Sequence, residues 1–558
     1  MANIGVLFVI AYFASFCNCE TGPFVSLKQG DILGRYFTTR KGRTVSGFSG
    51  IPYAKPPVGE LRFKPSVTLE QWNGTLNATQ PHAVCPQLNY YDKENPNPIA
   101  GSENCLFLNV YTPQVPKDKW NNISYPVLFY IHGGSFSVGS ARYDWLGPEL
   151  LLDKDLVLVT VNYRLGALGF LSTGDDSIPA NNGLKDQVLA LRWVKDNIAT
   201  FGGNPEKVTI SGNSAGGSSV HYLTLSPMTK GLITSAIIQS GVVISQIAVI
   251  PRNESIGYAQ RFGEKLNCSS GTSEDLLKCL QGRHLYDIVK QQLTFSTWDS
   301  SAIPFLPTIE KNCTDAFLCR NPFKLMQSND ILDIPIMLGI VPNEGIIVSA
   351  ALSPEKIEQM EETFDTNAFH DFNLESLHLA DSLRKFYFGN QTIGLKTRPE
   401  ITDLYTDGWF LSGADFLVQN HLAYREQPIY FYYFDYMGSE SYASLYNDAS
   451  FLCGASHTDE LLYLLSRNVA FPGYKPTPLD DEMTETMTSL WFNFVRYGNP
   501  TPANESKIPL WQRVVSNNLE YYHIEGPRNL SMRNNLLSNR KYLWRNLRVA
   551  VDVDKFDP

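Results

Sequence analysis

The chain has 558 residues, of which 43% are hydrophobic and 18% are charged. This composition excludes a disordered protein and predicts a large, aromatic-rich folded core. The formal net charge is −10, and the sequence has no block of lysines and arginines that could follow a phosphate backbone, so nucleic acid is not expected as a partner.

An apolar run near the N-terminus, residues 5–16, is too short to span a bilayer and is followed by small and then polar residues. This pattern predicts a signal peptide over residues 1–19, with cleavage near Cys19, although no lysine or arginine precedes the run. The mature chain would be residues 20–558, which we expect to form a single domain. After residue 22 no segment is apolar for long enough to cross a membrane, and residues 549–558 contain no hydrophobic tail, so no membrane anchor is expected.

Asparagine sequons also favour secretion. The Asn-x-Ser/Thr pattern marks acceptor sites for N-linked glycan in proteins that pass through the secretory pathway. It begins at Asn73, Asn77, Asn122, Asn253, Asn267, Asn312, Asn390, Asn504 and Asn529. We therefore expect an extracellular glycoprotein.

Cysteine spacing points to the same compartment. Several cysteines lie close enough in sequence for a disulfide to close a short loop, although two buried free thiols are the alternative for each pair. The possible pairs are Cys85 with Cys105, Cys268 with Cys279, and Cys313 with Cys319. Cys453 is then left over.

Short apolar segments alternate with helical patterns from about residue 105 to 500, which predicts an α/β fold with a mostly parallel sheet covered by helices. The strand candidates are residues 127–131, 156–161, 208–210, 236–238, 334–340 and 429–434. Helical spacing is clearest over 184–198 and 483–495, and each of these segments is followed by a glycine stop. Residues 350–400 have weaker periodicity and more charge, and we interpret them as an inserted cap or peripheral region.

Two glycine-containing segments follow strand candidates. His132-Gly133-Gly134-Ser135 follows strand 127–131, and by itself it indicates only a sharp turn. Gly212-Asn213-Ser214-Ala215-Gly216 follows strand 208–210 and precedes a helix-compatible stretch, 218–225. This context is typical of a nucleophile elbow, in which a tight turn requires small residues two positions before and after the serine. An ordinary Gly/Ser turn is the alternative.

If Ser214 is a nucleophile, it needs hydrogen-bond donors for the oxyanion that forms on its substrate. Glycines after a strand let the backbone approach that oxygen closely. The backbone N–H groups of Gly133, Gly134 and Ala215 are the predicted donors. His132 is better explained as a packing or hydrogen-bonding residue beside this loop.

A serine nucleophile also needs a base with a pKa near neutrality, which points to histidine. Among nine histidines, His457 lies in a loop that follows the last strand candidate. The α/β-hydrolase order of nucleophile, acid and histidine places the acid between Ser214 and His457. Glu344 fits best because it directly follows strand 334–340. Asp407 and Asp435 are competitors.

With these residues in place, the chain from about residue 25 to 515 resembles the cholinesterase and carboxylesterase family, the type-B carboxylesterases. Beyond the catalytic motifs, the resemblance is carried by residues 50–54, 61–63, 102–111, 162–166, 182–187, 490–491 and 498–500. It implies an α/β-hydrolase fold and a secreted serine esterase that works through an acyl-enzyme on Ser214 with no metal or organic cofactor. A small-molecule ester is the implied partner.

The resemblance also assigns structural roles. It implies disulfides between Cys85 and Cys105 and between Cys268 and Cys279. Ser240 would be a hydroxyl close to the catalytic residues. Two ion pairs are implied as scaffold, namely Arg62 with Glu103 and Arg164 with Asp186.

The sequence departs from the family at two positions, Asn213 and Asn104, where an acidic residue is usual. Asn213 removes a negative charge next to the nucleophile. Insect juvenile hormone esterases also have an amide there, and the chain is similar to insect esterases of that group, so juvenile hormone is one candidate substrate among dietary, pheromone and xenobiotic esters. The loop between Cys85 and Cys105 has Tyr90 and Tyr91 but no tryptophan to bind a quaternary ammonium, which argues against acetylcholine.

Two other functions remain open on the same fold. Some relatives, such as neuroligins, are adhesion proteins that have lost the nucleophile, whereas all three catalytic positions are present here. The other alternative is a protein that captures esters or xenobiotics on Ser214 and releases them only slowly.

Overall fold

The computed structural model describes residues 22–88, 99–117, 123–245, 247–268, 271–295, 304–311, 314–374, 376–446, 451 and 454–549, except the side chains of residues 293, 548 and 549. The predictions for residues 1–19, for the C-terminal tail and for Tyr90, Tyr91, Cys313 and Cys453 lie outside the described residues. The strands are β1 (Phe24–Leu27), β2 (Gly30–Leu33), β3 (Arg35–Thr38), β4 (Thr44–Pro52), β5 (Thr75–Asn77), β6 (Gln87–Leu88), β7 (Ile99–Ala100), β8 (Phe107–Thr112), β9 (Tyr125–Ile131), β10 (Val157–Val161), β11 (Gly203–Asn213), β12 (Ser235–Gln239), β13 (Ile336–Ile340), β14 (Ile429–Phe434), β15 (Tyr521–Gly526) and β16 (Asn529–Arg533).

Helices separate most of the later strands. The α-helices are α1 (Gly166–Phe170), α2 (Asn182–Asn197), α3 (Ala215–Leu225), α4 (Arg252–Lys265), α5 (Ser273–Gln281), α6 (Leu285–Gln292), α7 (Pro322–Met326), α8 (Ile346–Ser349), α9 (Pro354–Asp371), α10 (Leu377–Tyr387), α11 (Arg398–Thr406), α12 (Ser412–Tyr424), α13 (Pro478–Tyr497) and α14 (Ser538–Val549). A π-helical turn, Asp407–Leu411, joins α11 to α12. Short 3₁₀ helices are Gly59–Leu61, Leu151–Asp153, Ile198–Phe201, Pro227–Thr229, Leu293–Phe295, Leu395–Thr397, Tyr442–Leu445 and Asp459–Tyr463.

An eleven-stranded sheet in the order β16-β15-β14-β13-β12-β11-β9-β10-β8-β4-β3 forms the centre of the described structure. Neighbouring strands from β15 through β10 in that order are parallel, whereas the strands at both edges pair antiparallel. The strand order reverses at β9, which lies between β10 and β11. In open α/β sheets the carboxyl ends of the strands at such a reversal form a crevice where ligands bind. This is the predicted α/β-hydrolase architecture.

The core lies on both faces of the sheet, which explains the continuous apolar runs in the sequence. In β9, Val127, Phe129 and Ile131 pack into one layer, while Leu128 and Tyr130 pack into the other. Side chains of a strand point alternately to the two faces, so only strands covered on both faces need to be apolar at every position. Each fully buried aliphatic or aromatic side chain contributes about 1.5–3 kcal/mol.

All six strand candidates are confirmed, and each is part of the parallel region. The sequence did not predict β3, β4, β8, β15 or β16. Glycines and serines interrupt β4 over Thr44–Pro52, and β16 is partly exposed along its length. These strands lie at or near the edges of the sheet, where a strand does not need a continuous apolar pattern.

The two clearest helix predictions are confirmed as α2 and α13. Gly202 with φ 85° and Gly498 with φ 66° end these segments in the left-handed conformation that favours glycine. The region 350–400, predicted as a cap or peripheral segment, contains α9 and α10, which pack against each other. None of the helices within the described residues is long and apolar enough to cross a membrane.

Covalent and ionic links predicted from the family resemblance are present. Disulfides join Cys85 to Cys105 and Cys268 to Cys279. The pairing of Cys313 with Cys319 stays a prediction.

Both predicted ion pairs are confirmed. Arg164 Nη2 lies 2.7 Å from Asp186 Oδ1, and both side chains are almost fully buried. Arg62 Nε donates to Glu103 Oε1 at 2.6 Å and also donates to the carbonyl groups of Leu280 and Arg283. The Arg62 guanidinium therefore links the segment between β4 and β5 to the end of the Cys85–Cys105 loop and to the end of α5.

Asp186→Asn should destabilise the protein, because it leaves the Arg164 guanidinium buried without its counter-charge. Breaking one partner of a buried ion pair costs about 3–5 kcal/mol, which should appear as a lower Tm in thermal unfolding. The matched control is Glu482→Gln, which removes the exposed partner of Arg528 and should leave Tm almost unchanged. Equal changes in Tm for the two variants would contradict a structural role for the Arg164–Asp186 pair.

Candidate active site

Ser214 lies at a strained turn between β11 and α3. Its backbone has φ 59° and ψ −126°, a conformation that costs a non-glycine residue about 1–3 kcal/mol. A Cβ atom added at Gly212 would lie 2.5 Å from the carbonyl carbon and oxygen of Gly216, and one added at Gly216 would lie 2.2 Å from the Ile131 carbonyl oxygen. Both glycines are therefore required by close backbone contacts, as the elbow pattern predicts.

The end of β12 supports this turn from below. Ser214 N–H donates to the Gln239 carbonyl oxygen at 2.8 Å. A Cβ atom added at Gly241 would lie 2.0 Å from the Ser214 carbonyl oxygen. Because backbone atoms lie this close on both sides of the turn, the position of Ser214 is fixed by the sheet rather than by a flexible loop.

The loop after β9 lies against the elbow. A Cβ atom added at Gly133 would lie 3.1 Å from Ser214 Cβ and 2.5 Å from the Asn213 carbonyl oxygen. Gly134 has φ 107°, which also favours glycine. Among the described residues, none accepts a hydrogen bond from the backbone N–H of Gly133, Gly134 or Ala215. These three predicted donors are thus available to an acceptor above Ser214.

His132 has the packing environment that the sequence predicted for it. Its ring stacks on Tyr163 with 4.6 Å between centroids, and Nδ1 forms a 2.8 Å hydrogen bond with the Gly133 carbonyl oxygen. Burial lowers the pKa of His132 to about 4, which keeps the ring neutral. A neutral, stacked ring supports the glycine loop without adding charge to it.

His457 and Glu344 are brought together by two neighbouring loops. His457 Nδ1 forms a short hydrogen bond with Glu344 Oε2, and both side chains are buried. Glu344 Oε1 accepts the Val341 N–H at 2.9 Å. The two loops are joined by backbone hydrogen bonds from Asn343 N to Ala455 O at 3.1 Å and from His457 N to Asn343 O at 3.4 Å. The carboxylate therefore fixes the tautomer and the orientation of the ring.

The two competing acids lie elsewhere. Asp407 is fully buried and pairs with Arg540, whose Nη2 lies 2.6 Å from Asp407 Oδ1. Asp435 faces His523, with 3.3 Å between Asp435 Oδ2 and His523 Nε2. Of the three acids that the sequence left open, the structure brings only Glu344 to His457.

Glu460 is a second buried carboxylate beside the elbow, and the sequence analysis missed it. Its Oε1 accepts hydrogen bonds from Asn213 Nδ2 at 2.9 Å and from Gln239 Nε2 at 3.1 Å, while Oε2 has no hydrogen-bond partner among the described residues. Asn213 Oδ1 in turn accepts from Thr458 Oγ1 at 3.2 Å. Asn213, the residue before Ser214, is thus hydrogen-bonded both to Thr458, the N-cap of the 3₁₀ helix that follows His457, and to Glu460 within that helix. An acid three positions after the candidate base was the available signal.

The charge of Glu460 is sensitive to pH. Burial and the negative charge of Glu344 together raise the pKa of Glu460 to about 7, although His457 and the hydrogen bond from Asn213 oppose the shift. The carboxylates of Glu344 and Glu460 therefore lie close enough to His457 and to each other that the charge of Glu344 disfavours ionisation of Glu460. The amide of Asn213 stabilises Glu460 by donating to it, which a carboxylate at position 213 could not do.

Two further residues, Phe410 and Ser240, are considered beside the candidate catalytic groups. Phe410, in the π-helical turn between α11 and α12, packs against His457 with 5.1 Å between ring centroids. π-Helical turns occur often at functional sites, because they re-aim one side chain of an otherwise regular helix. Ser240 is fully buried, but its hydroxyl oxygen has no hydrogen-bond partner in the part of the chain that the structure describes, so it forms no hydrogen bond to Ser214, Glu344 or His457.

The chain is similar to known esterases in both sequence and structure. The sequence profile described as the carboxylesterase family matches residues 21–544. Esterase FE4 of Myzus persicae is 36% identical over 515 residues, covering 90% of this chain and 88% of that protein. Juvenile hormone esterase of Tribolium castaneum is 35% identical over 528 residues, covering 89% and 88%. The crystal structure of juvenile hormone esterase from Manduca sexta, with OTFP covalently attached, superimposes with a TM-score of 0.85 at 28% identity and covers 94% of this chain and 99% of that chain.

Glu460→Gln should change how stability depends on pH. An unfolded glutamate has a pKa of about 4.3, so the folded wild type holds a proton that the unfolded chain releases between about pH 4 and about pH 7. Stability of the wild type therefore falls, relative to the variant, as pH rises through this range. The variant keeps the Oε1 acceptor and cannot ionise. The difference in Tm, variant minus wild type, should therefore be larger at about pH 8 than at about pH 5.

A matched control for this experiment is Glu485→Gln. Hydrogen bonds and charge from Lys154 and Lys41 outweigh the effect of burial and lower the pKa of Glu485 to about 2. Its ionisation is complete in both buffers, so the difference in Tm from wild type should be the same at both pH values. A pH-independent difference for Glu460→Gln as well would refute the raised pKa of Glu460.

Proposed function

Since this chain belongs to the carboxylesterase family and is a carboxylic ester hydrolase, we propose that its chemistry proceeds through an acyl-enzyme on Ser214. His457 is the general base and Glu344 the acid that orients it. The observation that carries this proposal is the hydrogen bond between Glu344 and His457 Nδ1, in a loop tied through Thr458 and Asn213 to the strained turn at Ser214.

In the first step Ser214 Oγ attacks the acyl carbon of the ester, and His457 Nε2 takes the hydroxyl proton. The carbonyl oxygen becomes an oxyanion, which accepts hydrogen bonds from the N–H groups of Gly133, Gly134 and Ala215. The C–O bond to the alcohol then breaks, and His457 gives its proton to the leaving oxygen. The acyl group remains bound to Ser214 as an ester.

In the second step water attacks the acyl carbon while His457 takes a proton from it, and collapse of the second tetrahedral intermediate returns that proton to Ser214 Oγ. The products are a carboxylic acid and a free enzyme. In both steps the imidazolium of His457 is formed next to the Glu344 carboxylate, which stabilises its charge. Every group required is a side chain or backbone N–H of this chain.

The substrate belongs to the class of small carboxylic esters. Resemblance to juvenile hormone esterase of Tribolium castaneum supports an apolar ester, and juvenile hormone is the candidate we would test first. The sequence between Cys85 and Cys105 contains no tryptophan that could bind a quaternary ammonium. Acetylcholine is therefore a poor candidate.

Ser214→Ala should reduce turnover of a short-chain aryl ester by at least about 10³-fold, because the residual rate comes only from binding and oxyanion stabilisation. The matched control is Ser218→Ala, one turn further along α3, where the hydroxyl donates to the Val242 carbonyl at 3.3 Å; this variant should retain activity. Undiminished hydrolysis by Ser214→Ala would refute the assignment of Ser214 as the nucleophile. A burst of product with negligible steady-state turnover in the wild type would instead favour slow capture of esters.

We also propose that the mature chain, residues 20–558, is secreted as a glycoprotein with one catalytic domain. All described sequon asparagines are solvent-exposed, as a glycan requires; these are Asn73, Asn77, Asn253, Asn267, Asn390, Asn504 and Asn529. Asn122 and Asn312 lie outside the described residues. Two disulfides are consistent with an oxidising compartment.

Expression of the full chain in cultured eukaryotic cells tests this proposal. Active esterase should accumulate in the medium with an N-terminus near residue 20, and a glycosidase that removes N-linked glycan should lower its mass. A variant without residues 2–19 is the control and should stay in the cells. Accumulation of the unglycosylated full chain inside the cells would overturn the proposal.

A further inference from the structure

Three side chains that can bind a metal ion lie together at the end of β14 and β15, outside the residues proposed for ester hydrolysis. Asp435 directly follows β14, and His523 and Glu525 belong to β15. The two strands are parallel, with Tyr433 opposite His523. Since alternate residues of a strand point to the same face, His523 and Glu525 share one face beside Asp435.

The donor atoms of these three residues lie close to one another. His523 Nε2 is 3.3 Å from Asp435 Oδ2, and His523 Nδ1 is 3.6 Å from Glu525 Oε1. One ligand atom from each residue can be chosen so that all lie within 4.8 Å of one another. Zinc binds imidazole nitrogen and carboxylate oxygen at about 2.0–2.2 Å, so a modest inward movement of the two carboxylates would complete such a set.

The imidazole ring is buried, whereas the carboxylates reach solvent. His523 is 5% exposed, and none of the described residues forms a hydrogen bond with its Nδ1. The side chains of Asp435 and Glu525 are each 30% exposed. A buried nitrogen without a partner is costly unless something binds it. The open carboxylate side gives an ion from solvent a path to that nitrogen and room for water ligands.

The charges around the three residues favour a cation. Glu525 Oε2 is already held by Arg533 Nη2 at 2.6 Å and by Asn529 Nδ2 at 2.7 Å, which leaves Oε1 directed toward His523. Two carboxylates and one guanidinium leave a net negative charge beside the imidazole ring. Arg533 thus orients the Glu525 carboxylate without neutralising the charge of Asp435.

We propose that Asp435, His523 and Glu525 form a binding site for a divalent transition-metal ion, with Zn²⁺ as the best match. One imidazole nitrogen selects such an ion over Ca²⁺ or Mg²⁺, which prefer oxygen ligands throughout. Three protein ligands with open positions leave water to complete the coordination. The ion would connect β14 to β15 at the edge of the parallel region.

The position of Asp435 gives such an ion a structural effect. A Cβ atom added at Gly454 would lie 2.5 Å from Asp435 Oδ1, so the carboxylate borders the start of the loop that leads to His457. An ion that binds the folded protein and not the unfolded chain stabilises the fold in proportion to its concentration. Zn²⁺ bound at this edge of the sheet should therefore raise the Tm of the protein.

The test uses the full-length protein, freed of metal with a chelator and titrated with ZnCl₂ by calorimetry, with Tm measured in parallel. The wild type should bind one Zn²⁺ at this site, and Tm should increase. His523→Gln, Asp435→Asn and Glu525→Gln should each weaken that binding by at least about tenfold, because each loses a ligand. The matched control is His378→Gln, which removes an exposed histidine that lies 3.6 Å from a single carboxylate, Asp381, and should leave the binding unchanged.

Hydrolysis of the aryl ester checks that each variant is folded. If His523→Gln fails to fold, the two carboxylate variants, whose side chains are partly exposed, still carry the test. Equal Zn²⁺ affinity in wild type, Asp435→Asn and Glu525→Gln would overturn the proposal. So would a wild type whose Tm does not respond to Zn²⁺, which would leave His523 as a histidine bridging two carboxylates without a metal.

Discussion

Close contact between backbones fixes the position of Ser214, the proposed nucleophile, against the glycine loop after β9. The loop after β9 and the turn after β11 approach so closely that Gly133, Gly212 and Gly216 have no space for a side chain. This contact puts the N–H groups of the glycine loop beside Ser214, and the strain at Ser214 is supported by the hydrogen bond to the end of β12. Such a contact is possible only where parallel strands end at the same edge, at the point where the strand order reverses. The sheet therefore determines the geometry of the proposed oxyanion site, and the loops complete it.

The sequence predicts the parts of this structure that depend on local pattern. Strands buried on both faces, such as β9, are continuously apolar and were predicted, and the glycines around Ser214 identify a turn that few other residues allow. Edge strands such as β4 were missed because they need no continuous apolar run. Family resemblance supplied what local pattern could not, namely the Arg164–Asp186 pair and the two disulfides.

Contacts between residues far apart in sequence could not be predicted in this way. Asn213 and Glu460 are separated by 247 positions, and nothing near either residue indicates the other. The same holds for Asp435 and His523, which become neighbours only because β14 and β15 are adjacent in the sheet. Asn213 appeared in the sequence as a departure that removes a charge. In the structure the negative charge is supplied nearby by Glu460, and the Asn213 amide donates to it, so His457 still has two acidic groups near it.

The distances in sequence between the proposed catalytic groups also set an order of assembly during synthesis. The elbow, the glycine loop and β9 to β12 lie in the first half of the chain, but His457 is separated from Glu344 by 113 positions, and the Asn213–Glu460 hydrogen bond joins segments still further apart. Contacts of such long separation form only after the intervening chain exists. A growing polypeptide therefore contains Ser214 long before it contains His457, its proposed base. The proposed catalytic set can be complete only after most of the chain has been translated.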